Sequence, residues 1–183
     1  MVEATFTSAM LAVLRSMQGE RLVSLECENL NGNNTTYGNL LITTESQRIE
    51  LINEEEPTEY FGEMEDISRF SCRRLAANEP FRQFVAGEQP RKYPLLGAVT
   101  SVSIVNDTIT FPNKDYSIRL VMAVILNTSA GQISFLRGWQ FDEQITVVMN
   151  KDYRKLLRPV HQIREDWAED EDEITVSRDV ITL

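Results

Sequence analysis

With 183 residues, 42% of them hydrophobic and 25% charged, the chain has the composition of a folded domain rather than a disordered one. A domain of this length buries roughly 70% of the surface its unfolded chain exposes, so disulfide or metal staples are not required. The 18 Lys and Arg stand against 28 Asp and Glu, and a net charge of −10 repels phosphate backbones, which argues against nucleic acid as a partner.

The first predicted element is a helix over residues 3–17. Phe6, Met10, Val13, Leu14 and Met17 recur there at three- and four-residue spacing, and Gly19 supplies a left-handed stop. No basic region precedes this stretch, and no run approaches the ~20 apolar residues of a membrane span. A cytoplasmic protein with no membrane contact is therefore expected. Residues 21–29 alternate as a strand, the Gly- and Asn-rich stretch 30–34 turns the chain, and 37–44 with 48–53 form a hairpin. Glu54, Glu55, Glu56 and Pro57 are expected to end that strand through charge and a missing backbone donor. A strand returns over 67–75.

Residues 76–96, punctuated by Pro80, Gly87, Pro90 and Pro94, read as a connection packed by its aromatics, with a short helical turn over 79–84. Strands follow at 98–105 and 108–111, separated by a turn at Asn106 and Asp107. The uncharged run 120–126 predicts a central strand buried on both faces. Strands at 132–137 and 143–149 complete the set. Pro159 divides a late helix into 151–158 and 159–167, and a final strand covers 174–183.

Two stretches, 36–74 and 116–153, share one layout: a hairpin, an acidic connection containing aromatics, then a strand. Tyr60-Phe61-Gly62 and Gly138-Trp139 with Phe141 occupy matching places, and Glu65-Asp66-Ile67 lies opposite Glu143-Gln144-Ile145. The expected fold is α+β. It is a single domain over 1–183 with a mostly antiparallel, strongly bent sheet or partial barrel, covered by the N-terminal and late helices. Two related halves, 20–75 and 97–158, are joined by 76–96. A pair of smaller sheets or a β-sandwich is the alternative.

No catalytic residue is assigned. The single histidine, His161, has no partner set for zinc, and neither a nucleophile elbow nor a phosphate-cradling loop occurs, so no cofactor or metal is expected. Cys27 and Cys72 lie outside CxxC spacing in strand-like runs, which predicts buried free thiols, with one bridge between them as the alternative. Two sites stand out. The block 165–173 places seven acids in nine residues, and Glu165, Asp166, Trp167, Glu169, Asp170, Glu171 and Asp172 are candidate contacts for a basic protein. Tyr60, Phe61, Arg137, Trp139 and Phe141 are candidates for a pocket at the strand ends. The expected function is a non-enzymatic acidic binding module for a basic protein partner, similar in style to immunity or inhibitor proteins. A small-ligand or enzymatic pocket is the first alternative, and a homo-oligomeric structural protein the second.

Overall fold

Strands dominate because residue-by-residue alternation of apolar and polar side chains dominates the sequence. In the computed structural model, residues 1–28, 30, 34–82, 89–168 and 173–183 are described. The elements run β1 (Val2–Ala4), α1 (Ser8–Arg15), β2 (Leu22–Cys27), β3 (Thr35–Tyr37), β4 (Leu40–Thr44), β5 (Arg48–Tyr60), β6 (Glu63–Leu75), β7 (Arg91–Pro94), β8 (Val99–Phe111), β9 (Tyr116–Thr128), β10 (Gly131–Leu136), β11 (Gln144–Met149), α2 (Val160–Ala168) and β12 (Thr175–Thr182). The fold is α+β and mostly antiparallel.

These strands divide between two sheets, so the split-sheet alternative replaces the single bent sheet, and no closed barrel forms among the described residues. One sheet has seven strands in the order β12-β8-β9-β10-β11-β3, with β1 parallel to the first half of β9. The other has five, in the order β6-β5-β4-β2-β7. Leu25, Leu40, Ile42 and Leu51 from the smaller sheet share one buried cluster with Val102, Val124, Leu126 and Phe135 from the larger. The opposite face of the larger sheet presents Ile118, Leu120, Met122 and Ile125 to Leu157 and to Ile163 of α2. β9 is thus covered on both sides, as its uncharged run requires. Each such aliphatic side chain contributes roughly 1.5–3 kcal/mol by burial.

Three expectations give way. The helix expected over 3–17 is confined to Ser8–Arg15, because the Thr7 hydroxyl accepts the Met10 N–H at 3.3 Å and caps a later start. Val2–Ala4 is extended instead, pairing with Ile118–Leu120 of β9. Nor does Pro57 end β5, which continues to Tyr60 with Pro57 opposite Asp66. Counting from the Tyr60–Glu63 pair beside the turn, Pro57 falls at a non-hydrogen-bonded position, so its nitrogen faces away from β6. β4 pairs with β5 only as far as Leu51, so no neighbouring strand needs the missing donor. Finally, Asn106 and Asp107 do not turn the chain: β8 is continuous, with a bulge between Val105 and Asn106. Asp107 is fully buried and takes a fork from Arg178 of β12, at 2.6 and 2.8 Å.

The late segment divides as its proline dictates, into a 3-10 turn at Tyr153–Lys155 and α2. Between β6 and β7, Phe81 is buried against Leu41 and Leu75. The turn expected over 79–84 is not helical as far as residue 82, and 83–84 lie outside the described residues. Cys27 and Cys72 are free and buried. Among the described residues, no helix is long and apolar enough to cross a membrane.

Candidate functional site: an acidic cavity walled by aromatic rings

Past Leu51, β5 and β6 continue as a two-stranded ribbon whose tip is Phe61-Gly62. Both tip residues have positive φ, 52° and 90°, the backbone of a tight hairpin whose twist matches its strands. That conformation suits glycine but is costly for phenylalanine. Tertiary contacts hold it. The Phe61 ring stacks on Tyr116 with centroids 4.2 Å apart, and meets Phe111 edge-on at 5.1 Å. The Tyr116 hydroxyl accepts the Phe61 N–H and donates to the Glu59 carbonyl, each at 3.2 Å. The ribbon tip is thereby pinned to the start of β9, and Tyr60 meets Phe141 edge-on at 5.8 Å.

A second wall comes from the connection between β10 and β11. Arg137, only 1% exposed, donates from Nη2 to Asn53 Oδ1 at 2.6 Å and from Nη1 to the Gln140 carbonyl at 3.0 Å. Its guanidinium lies 4.6 Å from the Phe70 ring centre. Burial pulls this guanidinium down to about 9, with the Asp142 charge opposing the shift. It therefore remains a cation at neutral pH. Asn53 in turn donates to the Asp142 carbonyl at 2.9 Å, and the Asp142 carboxylate accepts from the N–H groups of Gly138 and Gln144, at 3.2 and 2.9 Å. A Cβ at Gly138 would lie 2.7 Å from Asp142 Oδ2, so the clamp needs glycine there. The braced loop carries Trp139 and Phe141, whose rings meet at 5.6 Å.

Trp167 of α2 closes the third side, edge-on to Phe111 at 5.5 Å and to Phe141 at 6.1 Å. Together these elements bound a cavity of about 440 Å³. Its apolar lining is Tyr60, Trp139, Phe141, Trp167 and Ile67, and its polar lining adds the carboxylates of Glu55, Glu65, Asp66 and Glu143. Among the described residues no lysine or arginine lines it, and none of the four carboxylates is ion-paired to a described basic residue. Repulsion from the Glu143 carboxylate raises Glu55 above its ordinary value, and desolvation, a hydrogen bond with Glu143 and the Asp66 charge add to the rise. Trp139 is 47% exposed at the rim, although indole is usually covered in a monomer. Such an arrangement attracts a cation with an apolar or planar body: rings offer negative faces, and carboxylates offer charge and acceptors.

The two predicted groups of residues meet here in part. Tyr60, Trp139 and Phe141 line the cavity, and Trp167 joins them from the acidic block. Phe61 packs on the far side of Tyr60, against Tyr116. Arg137 lies behind the loop and positions it. Glu165 and Asp166 are exposed, and Asp166 pairs with Arg158 at 2.5 Å. Glu169, Asp170, Glu171 and Asp172 lie outside the described residues. His161 is exposed on α2, away from the cavity lining. Reading residues by type passed over Glu55, Glu65, Asp66 and Glu143 as site groups. The signal lies in the sequence layout, where Glu65-Asp66 and Glu143 are the acids that follow the two aromatic-containing turns.

Compared with protein-family models, curated proteins and solved structures, the chain matches none.

Proposed function

We propose that the chain is a non-enzymatic, cytoplasmic binding module that recognises a basic protein partner, in the manner of an immunity or inhibitor protein, through the acidic aromatic end of the fold. The observation that carries this reading is the cavity itself: four carboxylates without basic counterparts among the described residues, beside four aromatic rings, one of them the rim indole of Trp139. Aromatic anchors within a charged rim are the usual composition of an interface hot spot. The net charge of −10 adds long-range attraction for a basic surface. The neighbouring Glu165 and the acids of 169–172 extend the same sign of charge along the chain.

The convergence of the β5–β6 and β10–β11 turns at one cavity also supports reading the halves 20–75 and 97–158 as related. A second reading uses the same walls for a free small molecule, since about 440 Å³ falls within the range of ligand pockets. In that case the partner is small and salt dependence is weak.

The test is affinity capture from the native cell's lysate with wild-type protein and with a Trp139→Ala, Glu143→Gln variant, washed at about 0.05 M and about 0.5 M salt. One stoichiometric basic protein, held by the wild type at low salt and lost at high salt and by the variant, is the expected result. Equal retention by the variant, or no protein retained at all, overturns the reading.

A further inference from the structure

We infer that the cavity between the ribbon tip and α2 takes an arginine side chain. This rests on the binding-module reading and names what that module's partner inserts. Two features of the walls choose among cations. The rings of Tyr60, Phe141 and the two tryptophans favour any cation that lies over a π face. The carboxylates discriminate further. Glu55, Glu65, Asp66 and Glu143 share one lining, so the site holds more acceptor positions than the Tyr60 hydroxyl and the two indole N–H groups can fill.

A quaternary ammonium carries no N–H and would leave those acceptors facing an apolar shell. Lysine brings three donors on a compact head that does not stack. Guanidinium is planar, stacks on indole and phenol faces, and carries five donors in a fork matched to carboxylate pairs. Elsewhere the same chain uses that match: Arg178 grips Asp107 through two parallel bonds, at 2.6 and 2.8 Å. At the cavity the carboxylate half of such a match is present and the guanidinium half is missing from the lining.

The chain supplies its own reporter, because its 2 tryptophans, Trp139 and Trp167, both line the cavity. The experiment titrates the folded protein with blocked tripeptides, Gly-Arg-Gly and its lysine, trimethyllysine and citrulline counterparts, to about 20 mM, and reads tryptophan emission. A saturable change with the arginine peptide is expected. The lysine and trimethyllysine peptides should bind at least about tenfold more weakly, as loss of a charge-assisted hydrogen bond implies. Citrulline, which keeps the shape without the charge, should give no response. The Glu55→Gln, Glu143→Gln double variant should lose the arginine response while its circular dichroism spectrum is unchanged.

No response to arginine by 20 mM, an equal response to citrulline, tighter binding of trimethyllysine, or an undiminished response in the double variant each overturns the inference. The two readings fail separately. A captured partner that keeps its affinity when its arginines are replaced by lysine removes the arginine site and leaves the binding module. An arginine response without any captured partner does the reverse.

Discussion

Two groups of carboxylates in this protein are treated in opposite ways. Asp107 and Glu50 are fully buried and each is met by an arginine, Asp107 by Arg178 at 2.6 Å and Glu50 by Arg73 at 2.7 Å. Glu50 also accepts the Arg82 N–H at 2.6 Å. A buried carboxylate without such donors would cost several kcal/mol, so these pairs are conditions of folding. At the aromatic end, Glu55, Glu65, Asp66 and Glu143 gather without a basic counterpart among the described residues. They lie nearer water, where repulsion is screened enough for the fold to tolerate it. The difference separates charge that holds the chain together from charge left open, which the proposed basic partner would meet.

Breaking the first group should have the largest effect. Arg178→Ala leaves Asp107 buried without a cation and should lower unfolding free energy by about 3–5 kcal/mol in urea titration. A loss below 1 kcal/mol would mean that water replaces the arginine, and the contrast between the two groups would collapse. The double variant Glu55→Gln, Glu143→Gln should behave oppositely, with a denaturation midpoint equal to or above that of the wild type. A lowered midpoint would show that these acids serve the fold.

Arg137 tests the boundary between the two groups. Its burial has no carboxylate fork to offset it, so Arg137→Met should change stability by less than about 2 kcal/mol, lost hydrogen bonds being balanced by relief of a buried charge. The same variant frees the loop bearing Trp139 and Phe141, so tryptophan emission should shift to the red and the arginine-peptide response weaken. Stability and site should thus come apart in one substitution.

Acidity gives a smaller and signed effect. Because Glu55 sits above its ordinary value of 4.5, the folded state takes up its proton before the unfolded state does. The resulting repulsion with Glu143 and Asp66 is felt above the raised value and is relieved as pH falls through it, so this group alone makes the fold relatively more stable on mild acidification. Cation binding runs the other way, since it needs the carboxylate ionised. Affinity for the arginine peptide should fall across that same window, and the double variant should abolish the dependence.

The smallest effect expected is none at all. Burial pushes the Cys27 thiol up to about 11 and the Cys72 thiol to about 12, so neither is a thiolate at pH 8. Native protein should fail to react with a thiol reagent at that pH, and both groups should react once urea unfolds the chain. Reaction of either in the native state would show that the inter-sheet core opens locally.

Much of this was legible in the chain. The uncharged run of β9, the hairpins flanking it, the break at Pro159 and the closing strand all follow from local pattern, because period and turn chemistry are properties of neighbouring residues. Pro57 was misread for the same reason. Its effect on a strand depends on which side the missing N–H faces and on whether another strand runs there, and both are set by pairing partners distant in sequence. Val2–Ala4 likewise leaves its helical spacing because β9 offers an edge to pair with.

By itself, then, the sequence determined the α+β class, the acidic balance and the acidic turns that carry aromatic residues, and left the state of the two thiols open. Tertiary structure alone decided that the strands split into two sheets sharing one core. It also decided that the β5–β6 and β10–β11 turns meet at α2, and that Trp167 belongs with Trp139 and Phe141. The reason is physical: alternation states which side chains point together along a strand, but only the closing of distant strands determines which charges find partners and which remain open.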